Sequence, residues 1–358
     1  MQANIMGWDI GGAHLKAAIM QPPSDIIAIY QRPCQLWKGI DKLHEAVQEI
    51  LSQSTTHINC HVLTMTGELV DLFEGRDDGV KHILAAMGHL LPNSEVIVYA
   101  GKDGFLAMAN VKPSHYPSIA SANWLASATW AAQSIGSGLF VDIGSTTTDI
   151  LLLNDGKILA EGYSDHQRLI SQEMIYTGIV RTAVMAVAQS AQDEGHEVGL
   201  MAEYFATMAD VYRVTGELNE LYDQTDTADG AGKTVSASAK RLARMIGCDY
   251  SDNELPRWQA FANNLRRQQI ARIQNACVRH STRSSVPMPK SPIIGAGIGR
   301  FLVKQIALNL HRPYLDFSDL FSAANSQCEY AAADCAPAVA VACLSTDCQL
   351  NEFYSIRK

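Results

Sequence analysis

The sequence predicts an α/β protein of two domains, with a mostly helical block set into the second. Three observations carry that prediction. Strand-length apolar runs alternate with helical spacings before residue 161 and again after residue 285. Two hairpins of the same pattern occur, one around Asp9 and one around Asp142. Between residues 161 and 285 helical periodicity prevails. At 358 residues the chain is also longer than a single core usually supports.

In order, Ile5-Met-Gly-Trp-Asp9-Ile-Gly-Gly-Ala-His-Leu-Lys16-Ala-Ala-Ile-Met20 reads as strand, carboxylate, glycine turn and returning strand. Ile26 to Tyr30 is a further strand. Ile40, Leu43, Val47, Ile50 and Leu51 then mark an amphipathic helix over about 40–53. Cys60 to Thr64 is a strand running into Met65-Thr-Gly-Glu68. Ile83, Leu84, Met87, Leu90 and Leu91 set the next helix, closed by Pro92-Asn93. Val96 to Tyr99 and Phe105 to Met108 are short strands. A helix carrying Trp124, Leu125, Ala128, Ala131 and Ile135 follows, with Ser121 or Asn123 as its cap.

The second hairpin is Leu139-Phe-Val-Asp142-Ile-Gly-Ser-Thr-Thr-Thr-Asp149-Ile, returning through Ile150 to Leu153. Asp155-Gly156 turns the chain into Lys157 to Ala160. In the block beyond, helices are expected over 169–191, 201–214, 239–246 and 258–280. Pro292-Ile-Ile-Gly295-Ala-Gly297-Ile-Gly299 is a strand that ends on alternating glycines and enters a helix. Tyr314 to Phe317 is a strand, and a last helix begins near Ala338.

Charged residues make up 18% and hydrophobic ones 47%, a folded rather than a disordered composition. A net charge of -9 argues against nucleic acid or an anionic membrane surface as partner. No apolar run reaches membrane-spanning length and no targeting segment is read, so a cytoplasmic location is expected. The eight cysteines include no CxxC, and Cys328, Cys335, Cys343 and Cys348 have no common zinc spacing. Buried free thiols are expected there.

The chemistry concentrates in the hairpins. A turn of hydroxyls and main-chain N–H groups beside carboxylates suits a phosphate and its divalent metal. The candidate phosphate-binding residues are Gly11, Gly12, Lys16, Gly144, Ser145, Thr146, Thr147 and Asp149, with Thr148 in the same run. Asp149 reads equally as a cap of the turn, and Lys16 as a structural lysine. Glu68 is a candidate acid, base or amine-binding carboxylate, set against a solvated loop glutamate. Arg181 reads either as an anion-binding group or as a salt bridge to the framework. Asp210 and Asp229 are candidate amine-binding carboxylates, and His14 a candidate proton carrier. Trp124 and Tyr176 read as core.

Asp9-x-Gly-Gly, Asp142-x-Gly-Ser-Thr-Thr-Thr-Asp149 and Gly295-x-Gly-x-Gly299 resemble, in order, the two phosphate motifs and the adenosine motif of the actin, sugar-kinase and Hsp70 superfamily. The resemblance implies two ribonuclease-H-like (actin-like ATPase) domains around a central cleft. The first would take 1–138 plus about 330–358, the second 139–329 with its insertion at about 161–285. It implies that Asp9 and Asp142 hold Mg²⁺ and that Gly295, Gly297 and Gly299 form an adenosine-motif-like loop.

Val141-Asp-Ile-Gly-Ser-Thr-Thr-Thr-Asp149 and Tyr176-Thr-Gly-Ile-Val-Arg181-Thr are most similar to the hydantoinase A/oxoprolinase branch. Thr64-Met-Thr-Gly-Glu68-Leu, Ala120-Ser-Ala-Asn-Trp124, Phe205-Ala-Thr-Met-Ala-Asp-Val-Tyr212 and Thr227-Ala-Asp-Gly230 resemble a narrower family tied to tetrahydromethanopterin-linked one-carbon transfer. Its archaeal members are furan-methanamine synthases of methanofuran biosynthesis. They join an aminomethyl-furanylmethyl diphosphate to the phenol of γ-glutamyltyramine and release pyrophosphate. Thr66-Gly67 departs from the Thr-Ala expected there. The resemblance implies a Mg²⁺-dependent transferase in which Asp9, Asp142 and Glu68 are catalytic.

Two alternatives share the hairpins. One is an ATP-dependent kinase or hydantoinase/oxoprolinase-type hydrolase, the only reading that calls for ATP. The other is a non-catalytic nucleotide-binding protein. The expected partner is a small phosphorylated molecule, with neither nucleic acid nor membrane, and a homodimer is compatible with the sequence.

Overall fold

A computed structural model describes residues 4–283, 291–323 and 328–355, with the backbone alone beyond Thr346. It opens with β1 (Ile5–Ile10), β2 (His14–Gln21), β3 (Asp25–Pro33) and α1 (Asp41–Gln53). Next come β4 (Cys60–Met65), α2 (Arg76–Leu90), β5 (Glu95–Tyr99), β6 (Phe105–Ala107), α3 (Tyr116–Ile119) and α4 (Asn123–Ile135). The second hairpin is β7 (Gly138–Ile143) and β8 (Thr148–Asn154), followed by β9 (Lys157–Ile158) and α5 (Asp165–Ser171). Beyond it lie β10 (Met174–Ile175), α6 (Val184–Val187), β11 (Ser190–Asp193), β12 (His196–Gly199), α7 (Met208–Thr215), α8 (Val235–Arg244) and α9 (Leu255–Thr282). The chain closes with β13 (Ile293–Ala296), α10 (Arg300–Asn309), β14 (Tyr314–Asp316), β15 (Ser322–Ala323) and α11 (Ala336–Ser355).

The chain divides into two compact units, one of Met1–Gly136, Leu153–Ile158 and Asp316–Lys358, the other of Ser137–Leu152 and Leu159–Leu315. In unit 1 the sheet order is β15-β3-β2-β1-β4-β5-β6. β1, β2 and β3 pair antiparallel, whereas β4 and β5 join parallel. This antiparallel meander extended by parallel strands is the ribonuclease-H-like core. Met6, Trp8 and Ile10 face the apolar sides of α1 (Leu43, Val47, Ile50) and α2 (Val80, Ile83, Met87). Burying each such side chain contributes about 1.5–3 kcal/mol, which fixes the strand register. On the other face Gly7 meets α11, and a Cβ on it would come within 2.0 Å of the Ala338 carbonyl oxygen. The alanines of α11 answer the same need for close approach.

Unit 2 repeats the plan as β10-β8-β7-β13-β14, with β10 in the third-strand position and β13 in the fourth. Where unit 1 has only α1 between those strands, unit 2 carries α6 to α9 and the β11–β12 hairpin. Leu139, Val141 and Ile143 share a core with Trp258, Phe261, Leu265 and Ile273 of α9 and with Leu302, Val303 and Ile306 of α10.

The structure corrects the block in two places. Residues 169–191 are not one helix: α5 stops at Ser171, Gln172 turns left-handed (φ 64°), and Met174–Ile175 joins the sheet. The apolar spacing there belongs to a chain that crosses the core, not to a helical stripe. Likewise Met201 to Ala206 is not helical, because Thr207 caps α7 and Asp210 accepts from the Thr207 N–H at 3.0 Å. The third strand of the second hairpin ends at Ile158 rather than Ala160.

No disulfide joins the described cysteines, and five of them are buried. The Cys343 thiol is pushed up to about 12 by burial, while the side chain of Cys348 lies outside the described residues. Among the described residues no cluster of three His, Cys, Asp or Glu is placed to hold a metal, and no helix is long and apolar enough to cross a membrane.

Candidate functional site in two matched hairpins

In unit 1 the β1–β2 turn closes through the Gly11 N–H, which donates to the His14 carbonyl at 3.0 Å. Three neighbours fix it. The Thr66 N–H donates to the Ile10 carbonyl (3.0 Å), the Leu36 N–H to Gly12 (3.0 Å) and the Cys34 N–H to Ala13 (2.8 Å). Gly67, just past β4, lies so close that a Cβ would come 3.1 Å from the Ile10 carbonyl oxygen. Asp9 is buried, and Asn123, the first residue of α4, donates its amide to the Asp9 carboxylate at 3.2 Å.

Register puts Asp9 opposite Lys16 on β2 and beside Thr64 on β4, so the three side chains share a face of the sheet. The Thr64 hydroxyl is buried without a hydrogen-bond partner. Glu68 corrects the expectation of a solvated loop residue. It is fully buried and accepts a 2.7 Å hydrogen bond from the Ser121 hydroxyl, 53 residues away. Ser121 is held in the left-handed region (φ 51°), a strained conformation for serine that places its hydroxyl there. Thus Thr64-Met-Thr-Gly-Glu68 and Ser121-Ala-Asn-Trp124 converge beside the first hairpin. Trp124 is core, as expected.

Unit 2 repeats the turn-closing bond, the donor to the Ile carbonyl and a donor to the carbonyl two residues on. The Gly144 N–H donates to the Thr147 carbonyl at 2.9 Å, closing the turn after Asp142 as Gly11 does after Asp9. The Ile143 carbonyl accepts from the Gly299 N–H (2.8 Å), and the Ser145 carbonyl from the N–H groups of Val180 (3.1 Å) and Arg181 (2.9 Å). Gly297, with φ 76°, abuts the Asp142 carboxylate, where a Cβ would come within 2.3 Å of Oδ1. Gly295 is small because the Tyr314 ring covers it, at 2.7 Å from an added Cβ. Gly297 and Gly299 therefore let the start of α10 sit against Asp142 and Ile143.

The two turns differ in what they offer a ligand. Gly12 has no side chain because Val70 fills the space, 2.7 Å from an added Cβ. Ser145, by contrast, has a buried hydroxyl without a partner, and Thr146 accepts a hydrogen bond from the Arg181 guanidinium at 3.4 Å. Gly178 allows this bracing: a Cβ would come within 2.5 Å of the Thr146 nitrogen.

Hard oxygen donors, an orphaned hydroxyl and cradling glycines fit a phosphate with Mg²⁺. That ion usually takes one or two protein carboxylates and completes its shell with water and phosphate.

Not every candidate joins these turns. Asp149, expected among the phosphate-binding residues, is ion-paired at 2.7 Å with Arg168, which is itself buried. Burial raises the Asp149 carboxyl above its ordinary range and Arg168 offsets part of that rise. Asp210 is buried and bonded to Arg241 at 2.7 Å and to Ser238 at 2.7 Å, while Asp229 pairs with Arg241 and Arg244 at 3.0 Å each. These carboxylates tie the 216–234 loop to α7 and α8. Tyr176, read as core, is 59% exposed because β10 ends one residue before it. The residue that joins the site from outside the expected phosphate set is Arg181, and its signal was the Tyr-Thr-Gly-Ile-Val-Arg run itself.

The chain matches the hydantoinase/oxoprolinase family over residues 59–339. It belongs to that family. Within this hydantoinase/oxoprolinase family it is 33% identical over 269 residues to the (4-{4-[2-(γ-L-glutamylamino)ethyl]phenoxymethyl}furan-2-yl)methanamine synthase of Methanocaldococcus jannaschii, covering 74% of this chain and 78% of that one. A synthase of the same name from Methanococcus vannielii is 32% identical over 111 residues, 31% of this chain and 50% of that protein. Among solved structures, a nucleotide-free acetone carboxylase superposes with a TM-score of 0.52 at 9% identity, over 96% of this chain and 70% of that chain. That likeness shows the fold, in keeping with the two actin-like sheets.

Proposed function

We propose that this protein is a transferase that forms an aryl furanylmethyl ether in methanofuran-type biosynthesis, with pyrophosphate as leaving group. The observation that carries this reading is the 33% identity to the archaeal synthase over 74% of the chain. That enzyme's name describes a phenol oxygen bonded to a methylene on a furan.

The chemistry follows from the substrates. The bond between the methylene carbon and the diphosphate oxygen breaks, and its electron pair leaves with pyrophosphate. The furan oxygen spreads the positive charge left on carbon. The phenol oxygen of a γ-glutamyltyramine or tyrosine-type acceptor bonds to that carbon, and its proton passes to a base. The protein's task is to hold the diphosphate, neutralise its developing charge and orient the phenol.

The Gly144–Thr147 turn supports the first task through its hydroxyls and main chain. Mg²⁺ would neutralise the leaving group, and within unit 2 Asp142, beside that turn, is the carboxylate assigned to it. Glu68, with the Ser121 hydroxyl on its carboxylate, is the candidate for the proton. The test is to incubate the purified protein and Mg²⁺ with a furanylmethyl diphosphate, with and without a tyramine-type phenol. Pyrophosphate released only with the phenol supports the reading. Phosphate released from ATP without the furan compound overturns it in favour of the ATP-dependent alternative.

A further inference from the structure

Arg181 has no part in the proposed reaction so far, although its side chain reaches the second hairpin. Its main chain is fixed twice over: its own N–H and that of Val180 donate to the Ser145 carbonyl, at 2.9 Å and 3.1 Å. Its guanidinium then returns to the same turn and donates to the Thr146 hydroxyl at 3.4 Å. In unit 1 the matching carbonyl is that of Gly12, which accepts from the Leu36 N–H at 3.0 Å, as Ser145 accepts from the apolar Val180 as well as from Arg181. The fold therefore requires only a backbone donor here, and an apolar side chain serves that purpose in the first hairpin. The guanidinium is an addition peculiar to the second.

Three further observations make the surroundings of Arg181 a built site. The Ser145 hydroxyl is buried and unpartnered one residue from Thr146. Thr182 donates its hydroxyl to the Thr146 carbonyl at 3.4 Å and accepts the Gly178 N–H at 2.8 Å, so the turn is held from both sides. The charge of Arg181 also acts beyond the turn: burial raises the Tyr204 phenol, and Arg181 lowers it again against the pull of Asp210 and Asp223. Those two carboxylates are occupied by Arg241 at 2.7 Å and by Arg213 at 2.5 Å.

We propose that Arg181 is the cation of the phosphate turn in unit 2 and binds one phosphate of a diphosphate held at Ser145 and Thr146. A guanidinium matches paired phosphate oxygens through two parallel N–H bonds, which a lysine does not provide. Assignment of the anion to the leaving group rests on the transferase reading. The subsite itself would serve any diphosphate.

The probe is inorganic pyrophosphate titrated calorimetrically into the full-length protein with Mg²⁺. Arg181→Gln keeps the backbone bonds and is expected to weaken pyrophosphate binding tenfold or more, with Arg181→Lys recovering part of the loss. The KM for the furanylmethyl diphosphate should rise while the KM for the phenol stays within twofold. Thr146→Val, which removes the hydroxyl that steers the guanidinium, should weaken pyrophosphate binding in the same direction and covers the case of a misfolded Arg181 variant. Pyrophosphate affinity within twofold of the parent in both variants overturns the proposal. So does a loss confined to the γ-glutamyl phenol, which would place Arg181 on a carboxylate. If no transferase activity exists but pyrophosphate binding still depends on Arg181, the subsite stands and only the proposed reaction falls.

Discussion

Unit 1 and unit 2 build the same hairpin and equip it differently. In each, an Asp is the last residue but one of the first strand, and the N–H of the glycine two residues after it closes the turn. The segments after the third and fourth strands send donors into the carbonyls there. In unit 1 the turn is Gly-Gly-Ala, packed by Val70, with a buried carboxylate, Glu68, at the loop beyond β4. In unit 2 it is Gly-Ser-Thr-Thr, with an unpartnered hydroxyl and an arginine reaching over it. The shared bonds are what the fold needs. What differs is what a ligand would meet: carboxylates beside the first hairpin, hydroxyls and a cation at the second.

The largest effect should come from the paired aspartates. Asp142→Asn keeps the shape of the side chain and removes its charge. It should lower kcat by on the order of 10³, about 4 kcal/mol of transition-state stabilisation, with little change in melting temperature. Asp9→Asn should fall comparably. A loss confined to one hairpin in steady-state kinetics would show that the other matches in structure alone.

Next come the two glycines that follow the fourth strands. Gly297→Ala must take a left-handed φ and meets Asp142 and Ile143 at 2.3 Å, so it should cost about 3 kcal/mol in denaturant unfolding. Gly67→Ala meets its tightest neighbours at 3.0–3.2 Å and should cost about 1 kcal/mol or less. The neighbours there are the Leu36 side chain and the Ile10–Gly11 backbone. Equal costs would contradict the geometry.

A smaller effect separates the units by pH. His61, buried in unit 1, accepts the Trp8 indole N–H at Nδ1 (3.1 Å), and burial lowers its pKa to about 4. A base with a depressed folded pKa leaves stability complete above its ordinary 6.5 and removes it as pH falls toward 4. The loss through His61 should reach about 2 kcal/mol by pH 5. His61→Asn should flatten that part of the curve and leave the part due to His280 of unit 2, which burial also lowers. An unchanged slope would count against a neutral His61.

Much of this was legible in the sequence, for physical reasons. The hairpins are local, and their apolar runs and glycines report them directly. The Thr207-x-x-Asp210 box that starts α7 stood in the sequence, yet the apolar spacing from Met201 placed the helix start there instead. The rest of what escaped was long-range. The burial of Glu68 depends on Ser121, 53 residues away, and a lone glutamate on a loop carries no sign of it. Residues 169–191 have helical spacing, yet Gln172 ends the helix and Gly178 must pass against the Ser145–Thr146 backbone. Tertiary packing overrode the local preference there.

The central claim is that the second hairpin holds a diphosphate that leaves carbon as the phenol oxygen arrives. It is tested most directly by running the reaction with phenol labelled with oxygen-18 at its hydroxyl. The account predicts the label entirely in the ether product and none in the released pyrophosphate. Label found in an aryl phosphate ester, with the furanylmethyl alcohol released, would mean that the phenol oxygen attacks phosphorus, and would contradict it.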